Sequence, residues 1–102
     1  MQISEIQILP VKPRDGLIAF VSCVLNDQFF IGNIAVYTSP SNAEGYRLVY
    51  PSKILPNGKS ISCIHPINRV TGDEIQKVVI KKYEEFIEKV TKGNASGYKR
   101  EG

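Results

Sequence analysis

Between Gly45 and Gly72 the chain carries Arg47, Lys53, Lys59 and Arg69 and no aspartate or glutamate, with Glu44 and Asp73 bounding the run on either side. Guanidinium and ammonium groups with no acid to neutralise them suit one task above others, which is to hold the charged groups of a polyanion. The net charge of +3 is thereby concentrated in one loop-rich stretch. A solvated loop that happens to lack acids has the same composition, so the run names candidates and not a ligand. Lys53, Lys59, Arg47 and Arg69 are the first candidates for phosphate contact. Lys77 and Lys81, on the outer side of a following helix, come next. That helix also carries Asp73, Glu74, Glu84, Glu85 and Glu88, so a solvated face held by i,i+4 pairs such as Asp73/Lys77 explains them as well.

Other chemistry is thinly represented. Cys63 and His65 could both ligate a metal, yet two ligands are too few and no further cysteine or histidine lies nearby. A cysteine–histidine pair would need its thiolate in a cleft. Cys23 and Cys63 both sit among apolar neighbours, where reduced, buried thiols are expected. Asp73 and Glu74 look like paired carboxylates, but helix capping accounts for both. No glycine-rich phosphate loop is present. The expectation is a protein without catalytic residues, metal or cofactor.

The elements that must position the cations follow from pattern and punctuation. Strands are expected at about residues 2–9, 17–25, 28–38, 46–50 and 60–64, and a helix at about 71–92. Lys12 to Gly16 is dense in turn residues, Asn26-Asp27 suits a tight hairpin because both tolerate positive φ, and Pro56-Asn57-Gly58 reads as a turn. Thr71 and Glu74 have capping-box spacing, and Ile75, Val78, Val79, Phe86 and Val90 recur at helical spacing. Lys92-Gly93 suits a helix end, and the small polar residues 93–102 read as a flexible tail. The fold class is therefore α+β: one domain over residues 1–92, with a small antiparallel sheet followed by a C-terminal helix.

Strict alternation puts Leu17, Ala19, Val21, Cys23 and Leu25 on one face of the second strand and Ile18, Phe20, Ser22 and Val24 on the other. In the third strand it groups Phe29, Ile31 and Tyr37 against Phe30, Ile34 and Val36. Both faces are largely apolar and one helix covers only one of them. A second copy of the chain is the simplest cover, so a homodimer is expected. A chain of 102 residues buries a modest core, and a partner subunit would help it. No window reaches the ~18 apolar residues of a membrane span and the N-terminus lacks a signal-peptide pattern, so a cytoplasmic protein is expected.

The run Pro51-Ser52-Lys53, then Pro56 and Gly58, then His65-Pro66-Ile67-Asn68 ahead of a helix, resembles the SpoVG family of bacteria (stage V sporulation protein G, or septation protein). The order of elements fits from the Ile3–Ile8 strand through Asp15-Gly16 to about residue 90. The resemblance implies a dimer that binds nucleic acid, DNA and in some members RNA, as a regulator of sporulation, septation or virulence genes. Lys53 maps onto the family lysine. Ile54 and Leu55 stand where a typical member has arginine and a small polar residue, and Gln7, Ile8, Leu9, Leu17 and Ile18 occupy positions that are often basic.

On this reading Lys53, Lys59, Arg47 and Arg69 contact phosphates, which gives affinity without sequence information. Tyr46 and Tyr50 could stack on bases or pack at a strand edge. Asn57 and Asn68 could read base edges or serve as turn and cap. The competing expectation is a protein-interaction module whose basic loop docks on an acidic protein partner, favoured by the exposed pair Ile54-Leu55. Neither reading calls for a membrane or a small-molecule substrate.

Overall fold

The structure, a computed structural model, describes residues 1–42 and 44–91. Its elements run β1 (Ile3–Arg14), β2 (Leu17–Leu25), β3 (Phe29–Thr38), β4 (Tyr46–Val49), β5 (Ser52–Ile54), β6 (Ser60–Ser62) and α1 (Arg69–Glu101). Strands β1 to β4 form one antiparallel sheet in chain order, and β5 and β6 form a separate two-stranded ribbon. The fold is α+β as expected. The fifth strand, however, does not join the main sheet: Ser60–Ser62 pairs with Ser52–Ile54, a strand the sequence pattern did not reveal. The helix end expected at Lys92-Gly93 and the flexible tail 93–102 lie outside the described residues.

Two hairpin turns are set by residues that accept left-handed backbone. Asn26 and Asp27 adopt φ of 52° and 54°, and Gln28 N–H donates to the Leu25 carbonyl at 2.9 Å. Asp15 and Gly16 adopt φ of 52° and 89°, which makes a two-residue turn of the twist that adjacent strands prefer. The first strand therefore runs on to Arg14, well past Leu9. It carries Pro10 and Pro13 without loss because β1 is an edge strand, where a missing N–H need not reach a partner.

Two bulges decide which residues reach the core. In β1, Glu5 at φ 49° lets Glu5-Ile6 oppose Cys23 alone. In β3, Asn33 at φ 57° lets Gly32-Asn33 oppose Ser22 alone. Each inserts one residue, so apolar side chains three apart share a face. Ile3 and Ile6 both pack toward the core, and Ile31, Ile34 and Val36 are all buried together. Strict alternation had separated Ile31 from Ile34 and Val36 and had grouped Phe30 with them; Phe30 in fact lies 72% exposed.

The core joins Ala19, Val21 and Cys23 of β2 and Ile31, Ile34 and Val36 of β3 to Ile75, Val79, Ile80 and Tyr83 of α1. Each buried valine or isoleucine among them contributes roughly 1.5–3 kcal/mol by leaving water. Gln76 of the helix donates through Nε2 to the Tyr46 carbonyl at 3.0 Å and to Glu44 Oε1 at 2.8 Å, tying α1 to the start of β4. The helix starts earlier than the capping-box spacing suggested. Asn68 is its N-cap: Oδ1 accepts the Thr71 N–H at 2.8 Å, and the Asn68 carbonyl accepts from Gly72 at 3.2 Å. Thr71 is thus a residue of the first turn.

The opposite face of the sheet carries the cross-strand row Leu9, Phe20, Ala35 and Val49 and, beyond the intervening Gln7–Ser22 pair, the row Ser4, Val24 and Phe30. Neither row contains a charged residue, and the helix lies on the other side.

Cys23 is buried, but Cys63 is exposed, against the expectation that both would be buried; both thiols are free. Cys63 lies just beyond the ribbon, which packs on no sheet or helix that could cover it.

Burial pushes the ionisation of Cys23, Tyr50 and Tyr83 upward, with Tyr46 adding to Tyr83. For Tyr50 burial is the main cause and the nearby Cys23 adds to it, raising the hydroxyl to about 12. Each group holds its proton in the folded chain after the unfolded chain has released it, so stability falls as pH rises, for Tyr50 between about 10 and 12. The Tyr50 hydroxyl is also buried without a hydrogen-bond partner. A Tyr50→Phe protein should therefore equal or exceed the parent in stability at pH 7, by up to about 1 kcal/mol, and lose less between pH 10 and 12 in urea titrations. A variant as alkali-sensitive as the parent would assign that pH dependence elsewhere.

Candidate functional site

The ribbon is closed at both ends by backbone hydrogen bonds. Cys63 N–H donates to the Pro51 carbonyl at 3.1 Å at its base, and Leu55 N–H to the Lys59 carbonyl at 2.7 Å near its tip. The turn between is set by sequence. Gly58 takes φ 86°, its N–H donates to the Leu55 carbonyl at 2.8 Å, and Asn57 Oδ1 accepts the Lys59 N–H at 3.0 Å. Asn57 is thereby a turn residue, as one of its two expected roles had it.

Lys53 lies opposite Ile61 in the ladder, and Lys59, two residues before Ile61, falls on the same ribbon face by alternation. Ile54 lies opposite Ser60, and Ser52 opposite Ser62, so those four share the other face. All six strand residues are exposed. From Ser52 to Val70 only Leu55 and Pro66 are half-buried. The ribbon Ser52–Ser62 is an arm that stands clear of the body, while Ile64 to Ile67 return along a recess they share with Leu25, Ile31, Tyr50 and Ile75. Among the aliphatic residues of the arm and its return, Ile54 is 66% and Ile67 90% exposed. His65 rounds off the base, with Ser62 Oγ and His65 Nδ1 in hydrogen-bond contact at 2.8 Å, both exposed.

The remaining predicted residues stand apart from this pair. Arg47 sits on edge strand β4, its guanidinium 5.0 Å from the Tyr37 ring centre in a cation–π contact. Arg69 occupies the first turn of α1, fully in solvent, with Nε 3.9 Å from Asp73 Oδ2. Asp73, expected to support Lys77, lies toward Arg69. Arg69, Asp73, Lys77 and Lys81 form one i,i+4 row, with Asp73 between the cations; Lys77 and Lys81 lie opposite the buried Ile75, Val79 and Tyr83, whereas Arg69 lies at the flank of the buried stripe. The structure therefore brings Lys53 and Lys59 together on the arm and Lys77 and Lys81 together on the outer side of the helix, with Arg69 beside Asp73 in the first turn and Arg47 on the sheet.

Both tyrosines are half-buried and packed against the core. The Tyr46 and Tyr83 rings meet edge to face with centroids 5.5 Å apart, and the Tyr50 hydroxyl is buried. The packing role is the one observed. Two features were missed by sequence reasoning: the strand at Ser52–Ile54 and the uncharged ribbon face. Their signal was present in the run of alternating small and apolar residues on either side of Pro56-Asn57-Gly58, which has hairpin spacing.

The SpoVG family model matches residues 1–85, which takes in the sheet, the arm and the first half of the helix. The chain belongs to the SpoVG family. Three relatives carry the name "Putative septation protein SpoVG". That of Agathobacter rectalis is 32% identical over 90 residues, covering 88% of this chain and the whole of the relative. That of Staphylococcus haemolyticus is 31% identical over 96 residues, covering 94% of this chain and 93% of the relative. That of Caldicellulosiruptor bescii is 31% identical over 87 residues, covering 85% and 96%. The SpoVG resemblance read from Pro51-Ser52-Lys53 and His65-Pro66-Ile67-Asn68 thus holds across the folded body. Among the described residues no helix is long and apolar enough to cross a membrane.

Proposed function

We propose that this SpoVG-family chain is a non-enzymatic regulatory protein that binds nucleic acid, DNA or RNA, as a cytoplasmic homodimer. The observation that carries the reading is the arm: Lys53 and Lys59 share one face of a projecting, turn-locked ribbon, in a stretch with no acid from Gly45 to Gly72. Cations held clear of the body meet a phosphate backbone with little desolvation of their own. Lys77 and Lys81 add positive charge on the outer side of the helix, and Arg69 and Arg47 add to it from the first helical turn and the sheet edge. Fluorescence anisotropy with labelled RNA, single-stranded DNA and duplex DNA at about 50 and 200 mM salt tests it. Affinity that falls steeply with salt supports the reading; no binding to any of the three at the lower salt overturns it.

The dimer is supported by the apolar patch of Leu9, Phe20, Val24, Phe30 and Val49 on the sheet face away from the helix, which a second copy would cover, with Arg47 at its rim. Phe20→Asp, at the centre of that face, should convert a species of twice 11.4 kDa to the monomer in sedimentation equilibrium. An unchanged mass would place the subunit contact elsewhere. The second reading, docking on an acidic protein, draws on the exposed aliphatics of the arm and its return, above all Ile54, Ile61 and Ile67. A stoichiometric protein partner with no nucleic acid in the purified complex would favour it.

A further inference from the structure

The two faces of the arm differ in kind, and phosphate contact uses only one of them. Lys53 and Lys59 lie on the first face with Ile61, whereas the second holds Ser52, Ile54, Ser60 and Ser62 and no charge. We propose that the second face enters the major groove of duplex DNA and contacts base edges, with Ile54 packing on thymine methyl groups while Lys53 and Lys59 hold the groove's phosphate wall. This rests on the nucleic-acid reading and goes beyond it, because it makes the arm sensitive to base identity.

The geometry and chemistry of the arm support this occupant over others. A two-stranded antiparallel ribbon is the one sheet element that the B-form major groove, about 12 Å wide, admits. Groove entry needs a ribbon that is free on both faces, and every strand residue here is exposed. It also needs a ribbon that keeps its shape off the body, and the Asn57-Gly58 turn and the Pro51–Cys63 closure supply that. Serine hydroxyls donate and accept, so Ser52, Ser60 and Ser62 suit the mixed donors and acceptors of base edges. Ile54 is 66% exposed at the distal end of its strand, and nothing in the fold of one chain uses it. A thymine C5-methyl is the apolar group that the major groove presents. The deep, narrow major groove of A-form RNA does not admit such a ribbon, which makes duplex DNA the partner.

The test compares alternating A·T duplexes of about 24 base pairs with identical duplexes in which every thymine is replaced by uracil. The two differ by the C5-methyl alone, at equal charge. The parent protein should bind the thymine duplex about 4- to 15-fold more tightly, the range expected from burying one or two methyl groups. Ile54→Ser should lose that preference and keep its salt dependence and melting temperature. Equal affinity of the parent for both duplexes, or an undiminished preference in Ile54→Ser, overturns the assignment. Tighter binding of single strands or RNA than of either duplex also overturns it while leaving the nucleic-acid reading intact; no binding to any nucleic acid ends both. If Ile54→Ser instead halves the molecular mass of the free protein, the residue belongs to a subunit contact and the groove assignment falls.

Discussion

Reversing both ribbon lysines, Lys53→Glu with Lys59→Glu, should weaken binding of the preferred nucleic acid by at least about 100-fold at about 50 mM salt. The magnitude follows from counterion release. One phosphate contact on B-form DNA contributes about 0.9 to the slope of log affinity against log salt, which at 50 mM corresponds to about 15-fold in affinity. Two contacts multiply to about 200-fold before any repulsion from the new carboxylates is counted. The slope itself should fall by about 1.8 per chain, which separates lost phosphate contacts from a damaged fold. Both positions are exposed and the ribbon packs on no other element, so the melting temperature should stay where it was. Lys12→Glu, on exposed edge strand β1, is the control and should change affinity little. If it costs as much as the double reversal, the attraction is diffuse and the arm is not its centre.

The residues that proved legible in the sequence are those whose local chemistry admits few conformations. Asn26-Asp27 and Pro56-Asn57-Gly58 form turns because short polar side chains and glycine tolerate left-handed backbone, and both occur where expected. The stripe of Ile75 and Val79 meets the sheet because a helix hydrophobic on one side has one way to bury it. Pro51-Ser52-Lys53 and His65-Pro66-Ile67-Asn68, which suggested SpoVG, lie on the arm and at its return to the helix. The cations were legible as a group, though nothing in their spacing signalled that Lys53 and Lys59 would share a ribbon face while Arg47 lay against Tyr37.

What was not legible depends on departures from regular geometry. Glu5 and Asn33 are ordinary polar residues in a strand pattern, and nothing in their identity announces a left-handed backbone. Asparagine tolerates it; glutamate does so only because the surrounding pairing requires it. The helix start shifted for a related reason. Thr71 and Asn68 both offer a capping oxygen, and the choice between them depends on where Pro66 directs the chain, which is a tertiary matter. The exposure of Cys63 likewise follows from the ribbon standing free, and composition alone could not show that.

The bulge at Asn33 has a consequence that distinguishes it from simple alternation. Ile34 is completely buried, held among Val21, Val36 and the helix residues. Ile34→Ala removes three carbons from a site walled by two layers, and should destabilise the chain by about 2–5 kcal/mol. Against the roughly 5–15 kcal/mol of a typical domain that is a large fraction, equivalent to a melting temperature lower by about 10–25 °C. Alternation without a bulge would set Phe30 on the same face as Ile34, and the larger ring would then be the costlier loss. In the structure Phe30 lies on the far face, its ring against Gly32, where an added Cβ would stand 3.1 Å from it. Phe30→Ala should therefore cost less than Ile34→Ala, and any loss should shrink on dilution if the face is a subunit contact, because the parent then dissociates too, whereas the loss at Ile34 should not depend on concentration. Urea unfolding of both variants at two protein concentrations separates the cases. A Phe30→Ala protein that is the less stable of the two at every concentration would mean that β3 runs without its bulge.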